Sequence, residues 1–138
     1  MKKIFTLLSL VLLLMSSTCQ KPTGFYLVDN TIDKNLYSEK NTLYIYRSSC
    51  LIGAAVNIVI ELNNKFRGVL GMNQIVKVPF ELGINHLVVE GDIASGQYAV
   101  LLDIKKENSR YFISSFCRAN KLITTEYEFE DWVKAITE

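Results

Sequence analysis

The sequence predicts an all-β fold: an antiparallel β-sandwich of about 7–8 short strands with a short C-terminal helix, preceded by a signal peptide. Three observations lead to this prediction. Apolar and polar side chains alternate over most of the chain after residue 41, and Asn- and Gly-containing turns separate the alternating stretches. The 138 residues are 49% hydrophobic and 21% charged, a composition typical of one globular domain.

The N-terminus has the layout of a bacterial secretory signal peptide. Lys2 and Lys3 precede an apolar run over residues 4–15, and Cys19 follows three small polar residues. This run is shorter than the ~20 apolar residues that a membrane-spanning helix needs. A cysteine at this place resembles a lipobox, in which the peptidase cuts before a cysteine whose thiol carries diacylglycerol. We therefore predict a lipoprotein-type signal peptide over residues 1–18 and lipidation of Cys19. The alternative is ordinary cleavage that leaves this thiol free.

Lipidation places the protein in the cell envelope, membrane-anchored on the exported side. The chain carries 15 basic and 14 acidic residues, and loss of the two lysines of the signal peptide changes the net formal charge from +1 to −1. Such a balance provides no field that would attract nucleic acid. The predicted partners are the membrane, through the lipid, and an envelope protein or glycan.

The three cysteines agree with this interpretation. If Cys19 is acylated, Cys50 and Cys117 remain as an even pair in a compartment that permits disulfides. The sequence leaves two alternatives open for them, a disulfide that closes a long loop or two separately buried thiols.

After the signal peptide, residues 19–41 are polar and are predicted to form a tether and irregular structure, and residues 42–138 form the sandwich domain. Asn63-Asn64 is typical of a two-residue hairpin turn, because Asn tolerates positive φ. A helix is predicted over Glu130–Thr137, whose first turn is acidic. The eight predicted strands are Thr42–Arg47, Val56–Leu62, Lys65–Leu70, Gln74–Phe80, His86–Glu90, Gln97–Lys105, Arg110–Arg118 and Leu122–Phe129.

Four stretches, YIYR at 44–47, NNKFRGVL at 63–70, VPFELGINH at 78–86 and SRYFI at 109–113, together resemble the bacterial envelope family of the domain of unknown function twenty-eight forty-six. The resemblance covers about residues 42–118. Many members of that family are predicted lipoproteins, and the family is similar to PEGA-type surface β-domains. The resemblance implies a β-domain of the envelope and brings no catalytic residues with it.

The sequence contains few candidates for catalytic residues. His86 is the only histidine, so a nucleophilic dyad would have to pair it with Cys50 or Cys117. Glu126 and Glu128 lie two apart and could imitate a glycosidase pair, although a solvated strand face is the simpler interpretation. No metal-ligand spacing or phosphate-binding loop is present in the sequence. We therefore predict no enzymatic activity, no cofactor and no metal.

The strand at 42–47 provides the candidate binding surface, formed by Tyr44, Tyr46 and Arg47. The two tyrosines share one face, while Leu43 and Ile45 share the other. Exposed tyrosines stack on sugars or anchor a protein partner, whereas a tether or the terminal helix would bury them. The predicted function is a non-enzymatic envelope interaction or structural domain; the alternative is a small carbohydrate- or peptidoglycan-binding module.

Overall fold

The computed structural model describes residues 23, 25–26, 34–49, 56–91, 96–118 and 121–138. Within them the chain forms nine strands, a 3₁₀-helix (η1, Lys34–Tyr37) and an α-helix (α1, Phe129–Thr137). The strands are β1 (Phe25–Tyr26), β2 (Thr42–Arg47), β3 (Ile58–Leu62), β4 (Lys65–Leu70), β5 (Gln74–Pro79), β6 (Gly83–Gly91), β7 (Gln97–Ile104), β8 (Arg110–Arg118) and β9 (Lys121–Tyr127). The predicted all-β sandwich with a short C-terminal helix is confirmed.

The strands form two sheets. Sheet A has the order β1-β5-β2-β8-β9, and sheet B has the order β4-β3-β6-β7. Neighbouring strands run antiparallel, as predicted, except that β2 and β8 pair in parallel with Ile45 opposite Phe112. The prediction was wrong for this pair because alternation shows which face a residue takes and says nothing about which strand lies beside it.

The core lies between the two sheets and explains the period-two pattern. In β2, Leu43 and Ile45 are fully buried toward sheet B, and Ile58 and Ile60 of β3 are buried toward sheet A. Such alternation is what a strand with one face against a packed core shows. The other buried members are Leu62, Leu70, Val76, Val78, Phe80, Leu87, Val89, Leu102, Ile104, Phe112, Phe116 and Leu122.

A second apolar cluster covers the outer face of sheet A. Helix α1 places Trp132 and Ile136 on this face, and η1 adds Tyr37. Beneath them lie four strand residues, Tyr44, Tyr46, Ile75 and Tyr111. Trp132 is fully buried, and its indole Nε1 donates a hydrogen bond to the carbonyl oxygen of Phe112 at 3.1 Å. Sheet A is therefore packed on both faces.

The turn between β3 and β4 follows the predicted chemistry. Asn63 and Asn64 have φ of 55° and 60°, as a two-residue type I′ turn requires. The Asn63 side chain also fixes the neighbouring strand, because its Oδ1 accepts a hydrogen bond from the backbone N–H of His86 at 2.8 Å. The predicted hairpin between β3 and β4 is confirmed, with a bulge between Ile60 and Glu61.

Part of the segment predicted as a tether belongs to the packed domain. β1 pairs with β5, with Phe25 opposite Ile75, and Tyr37 is only 5% exposed in the second apolar cluster. A two-residue strand and a single 3₁₀ turn have no sequence period, which explains why they were not predicted. The signal peptide over 1–18, with Cys19, lies outside the described residues.

Candidate functional site

The predicted binding surface of Tyr44, Tyr46 and Arg47 is buried. Their exposed fractions are 0%, 7% and 2%. Tyr44 stacks on Tyr111 with ring centroids 5.4 Å apart and lies beneath Trp132. The surface prediction is corrected on this point: an extra layer, η1 and α1, covers the aromatic face of β2, so no stacking platform is open.

The two tyrosines satisfy their hydroxyl groups inside the protein. The hydroxyl of Tyr44 accepts a hydrogen bond from the backbone N–H of Glu39 at 3.1 Å, and that of Tyr46 donates to Oδ1 of Asn73 at 3.1 Å. Burial raises the pKa of Tyr44 to about 12, and it also raises the pKa of Tyr46. Arg47 lies on the opposite face of β2, with its guanidinium 5.5 Å from the ring centroid of Phe116. Tyr44, Tyr46 and Arg47 therefore contribute to the packing of the domain.

The candidate dyad of His86 with Cys117 is not brought together. Leu87 and Val89 point into the core, so His86 lies on the outer face of sheet B. Cys117 belongs to β8 in sheet A, and the core between the sheets separates the two residues. Cys50 and the side chain of Cys117 lie outside the described residues, so their pairing stays a prediction.

The candidate acidic pair lies at the junction of β9 and α1. Glu126 forms a two-point ion pair with Arg110, in which Nη2 donates to Oε2 at 2.7 Å and Nε contacts Oε1. Glu128 is the residue immediately before α1. An open cleft of about 410 Å³ beside them is lined by both carboxylates, Tyr127 and Phe129. A carboxylate neutralised by a guanidinium is a poor nucleophile, so the pair does not have the arrangement of a glycosidase couple.

The outer face of sheet B differs from that of sheet A, because none of the described helices covers it. We define the open face as the outward side chains of β3, β6 and β7. Cross-strand pairing places Leu101 opposite His86, Ala99 opposite Val88 and Asp103 opposite Ile84. On the other side of β6, Val88 is opposite Glu61 and Glu90 is opposite Val59.

The centre of the open face is apolar and solvent-exposed. Ile84 is 73% exposed and Leu101 is 67% exposed, the two largest values among the large apolar side chains that the structure describes. Leu101 lies diagonally across from Ile84 on the adjacent strand, and Ala99 on the same strand is also exposed, whereas Val88, opposite Ala99, is only 8% exposed. Antiparallel sheets with one free face normally present polar side chains there. Exposed apolar patches of this kind mark interaction sites.

The border of the open face is acidic. Glu61, Glu90 and Asp103 project from its three strands, and only Asp103 among them is ion-paired within the described part of the chain, to Lys105 at 3.2 Å. The electrostatic field over the patch is therefore negative. Such a field attracts basic groups and repels anionic surfaces.

Sequence reasoning missed the open face, although one signal was present. Residues 99–102 read Ala-Val-Leu-Leu, and only the alternation of β7 assigns Leu102 to the core and Leu101 to the outside. A run that is apolar at every position reads equally well as a strand covered on both sides.

Comparison with known proteins finds no relative of this chain. No family model matches the chain, and neither a curated protein nor a solved structure matches it. Among the described residues, no helix is long and apolar enough to cross a membrane, and no group of His, Cys, Asp and Glu could hold a metal ion. The resemblance to the domain of unknown function twenty-eight forty-six stays a prediction.

Proposed function

We propose that the chain is an exported lipoprotein, anchored through Cys19, whose sandwich binds another envelope protein through the open face. The observation that carries the proposal is the contrast between the two sheets: sheet A is covered on its outer side by α1 and η1, whereas sheet B exposes Ile84 and Leu101. A protein that covers one sheet with an aromatic cluster gains stability from it. An uncovered apolar face costs solubility, so it is accounted for by a partner.

The chemistry of the open face defines the partner. Its apolar centre calls for apolar side chains, and its border of Glu61, Glu90 and Asp103 calls for Lys or Arg. A second copy of this chain would bring the carboxylates of Glu61 and Glu90 toward their equivalents in a face-to-face dimer, which opposes self-association. We therefore expect a different protein with a basic, partly apolar surface. The proposed role is binding without catalysis.

The open face does not support the alternative function, glycan binding. The tyrosines that would stack on sugar rings are buried, and the exposed centre of the open face is aliphatic, with Ile84 and Leu101 as its largest side chains. Carbohydrate recognition depends on aromatic faces, which this patch lacks.

A photocrosslinking experiment in the native host tests the proposal. p-Benzoylphenylalanine is introduced at Ile84, with Lys134 as the control position, because Lys134 is equally exposed but lies on α1 over sheet A. We expect a crosslinked protein product from position 84 alone. Leu101→Lys should reduce that product at least ~10-fold, because a central anchor is worth more than ~1.4 kcal/mol. The same cells, fed an alkyne fatty acid, should label the wild-type protein and leave Cys19→Ser unlabelled.

Equal crosslinking at positions 84 and 134 would contradict the open face as the binding site. A product at twice the mass of the chain would show self-association instead of a different partner. Export without fatty-acid label would refute the anchor alone, since the binding readout does not depend on it.

A further inference from the structure

The first described residue is fixed to the edge of sheet B. The backbone N–H of Thr23 donates to the carbonyl oxygen of Val69 at 2.8 Å, and the Val69 N–H donates to Oγ1 of Thr23 at 2.9 Å. Two residues later, β1 pairs with β5 at the edge of sheet A. The chain therefore joins the edges of both sheets, and Thr23 is held in place on β4.

This attachment limits the length of the tether. Cys19 and Thr23 are four positions apart in the sequence. A chain spans at most ~3.6 Å per residue, so the Cα atoms of the two residues lie within ~14 Å of each other. If Cys19 carries the lipid, as the proposed function holds, the β4 edge of the sandwich must lie close to the lipid headgroups. This step rests on the proposed anchor.

The reach of the tether covers β4 as far as the β3–β4 turn, because only four positions, about 13 Å of strand, separate Val69 from Lys65. β1 is antiparallel to β5, with Tyr26 opposite Gln74 and Phe25 opposite Ile75. Toward the N-terminus, β1 therefore runs away from the Gly71–Asn73 turn. Along β4, the same direction leads to Lys65 and the β3–β4 turn.

The side chains at that end suit an anionic lipid surface. All five residues of the β3–β4 tip, Asn63, Asn64, Lys65, Phe66 and Arg67, are exposed. Phe66 is 53% exposed and lies opposite Glu61, and its two neighbours in sequence, Lys65 and Arg67, form no ion pair within the described part of the chain. Lys65 and Arg67 line an open cleft of about 280 Å³, which Glu81 also lines. Cations attract lipid phosphates, and an exposed aromatic side chain partitions into the interface.

We infer that the β3–β4 tip is a membrane-contact surface that docks on anionic phospholipid headgroups. The tip supplies a second, electrostatic attachment beside the acyl chains, and it orients the sandwich with β4 toward the bilayer. β7 lies at the opposite edge of sheet B. The half of the open face that contains Leu101 is thus presented away from the lipid, where a partner can reach it.

The first arm of the test uses the lipidated protein reconstituted in vesicles that contain no other protein. p-Benzoylphenylalanine is placed at Phe66 or, as the control, at Leu101, and lipid adducts are identified by mass spectrometry. We expect adducts from position 66 in phosphatidylglycerol vesicles and at least ~10-fold fewer from position 101. Equal yields at the two positions would overturn the inference while leaving the anchor intact.

The second arm does not depend on the anchor. The Cys19→Ser protein is floated with phosphatidylglycerol vesicles and with phosphatidylcholine vesicles. Lys65→Gln with Arg67→Gln should lower the phosphatidylglycerol partition coefficient about 30-fold, from the usual contribution of two surface cations. Lys105→Gln with Lys106→Gln makes the same charge change at the β7 edge and should leave it within about twofold. Circular dichroism confirms that all variants are folded.

Equal losses in the two double variants would show a net-charge effect and refute the tip as the contact. Unchanged partition in both would refute it as well. If fatty-acid labelling fails in cells but the tip variant still loses vesicle binding, the membrane contact stands and only the proposed anchor is wrong.

Discussion

The outer face of sheet A is covered and that of sheet B is not, although both carry large apolar side chains. On sheet A, Tyr44 and Tyr111 stack beneath Trp132, and each tyrosine hydroxyl finds a hydrogen-bond partner. On sheet B, Leu101 and Ile84 stand in solvent with no described element over them. The comparison shows that an apolar outward residue becomes core or surface according to whether the chain supplies another layer.

The two faces also differ in chemistry. The covered face is aromatic and includes polar hydroxyl groups, which need partners and therefore require a fixed arrangement. The open face is aliphatic at its centre and acidic at its border, so it contains no buried hydroxyl group that must keep a fixed hydrogen-bond partner. The first arrangement favours a unique packed structure, and the second favours a reversible contact.

The largest expected difference between the faces is in stability. Trp132→Ala should lower the free energy of unfolding by about 3–5 kcal/mol, because it empties the centre of the aromatic cluster and removes the hydrogen bond to Phe112. Leu101→Ala, the matched control on the open face, should change it by less than ~0.5 kcal/mol. Urea denaturation measures both. Similar losses in the two variants would show that the open face is itself packed.

A smaller effect on stability is expected at high pH, and it comes from the tyrosines of the covered face. Burial raises the pKa of Tyr44 to about 12 and raises that of Tyr37, Tyr46 and Tyr111. A folded-state pKa above the unfolded value means that the stabilisation is complete below the unfolded pKa of ~10 and is lost as pH rises through the folded value. Stability should therefore be level at neutral pH and fall steeply between pH ~10 and about 12.

Tyr44→Phe provides the check on this alkaline loss. Near neutral pH it should cost about 1 kcal/mol, the value of a typical hydrogen bond, because the Glu39 N–H loses its acceptor. Above pH ~10 the decline in stability should be shallower than in the wild type, because one ionising group is gone. Urea unfolding as a function of pH, with tyrosinate absorbance, measures both. An unchanged slope would mean that Tyr44 ionises without unfolding.

The smallest expected effect concerns the border of the covered face. Lys77 pairs with Glu39 at 2.5 Å, but the carboxylate side chain is 58% exposed. Glu39→Gln should cost less than ~0.5 kcal/mol, and the cost should disappear in high salt because exposed ion pairs are screened. A loss approaching that of Trp132→Ala would show that border charges hold the helix on sheet A.

Much of the fold could be predicted from the sequence. The eight predicted strands correspond to β2 through β9, and the helix predicted from Glu130 begins at Phe129. The prediction succeeded because each strand of a sandwich has one face against the core, and this produces alternation over five residues or more. It failed for β1, which is too short to alternate, and for the parallel pairing of β2 with β8.

Less of the candidate site could be predicted. Tyr44 and Tyr46 gave the clearest surface signal, yet they are buried, because sequence alone does not show where α1 and η1 pack. The alternation of β7 assigns Leu102 to the core and Leu101 to the outer face, but it does not show that this face stays uncovered. The sequence does not show that the β3–β4 tip lies near the anchor. That follows only from the hydrogen bonds of Thr23 to Val69, two residues that are 46 apart in sequence.

The parallel pair of β2 and β8 has a consequence for the order of assembly. The strands of sheet B end at Ile104, so all of them are synthesised before β8. β2, at the centre of sheet A, cannot complete its pairing until residues from Arg110 onward are present. Contacts between such distant segments form slowly, because the loop between them must be closed first. The segment from Arg110 onward therefore completes the sandwich, and a chain that lacks it leaves the aromatic face of β2 uncovered.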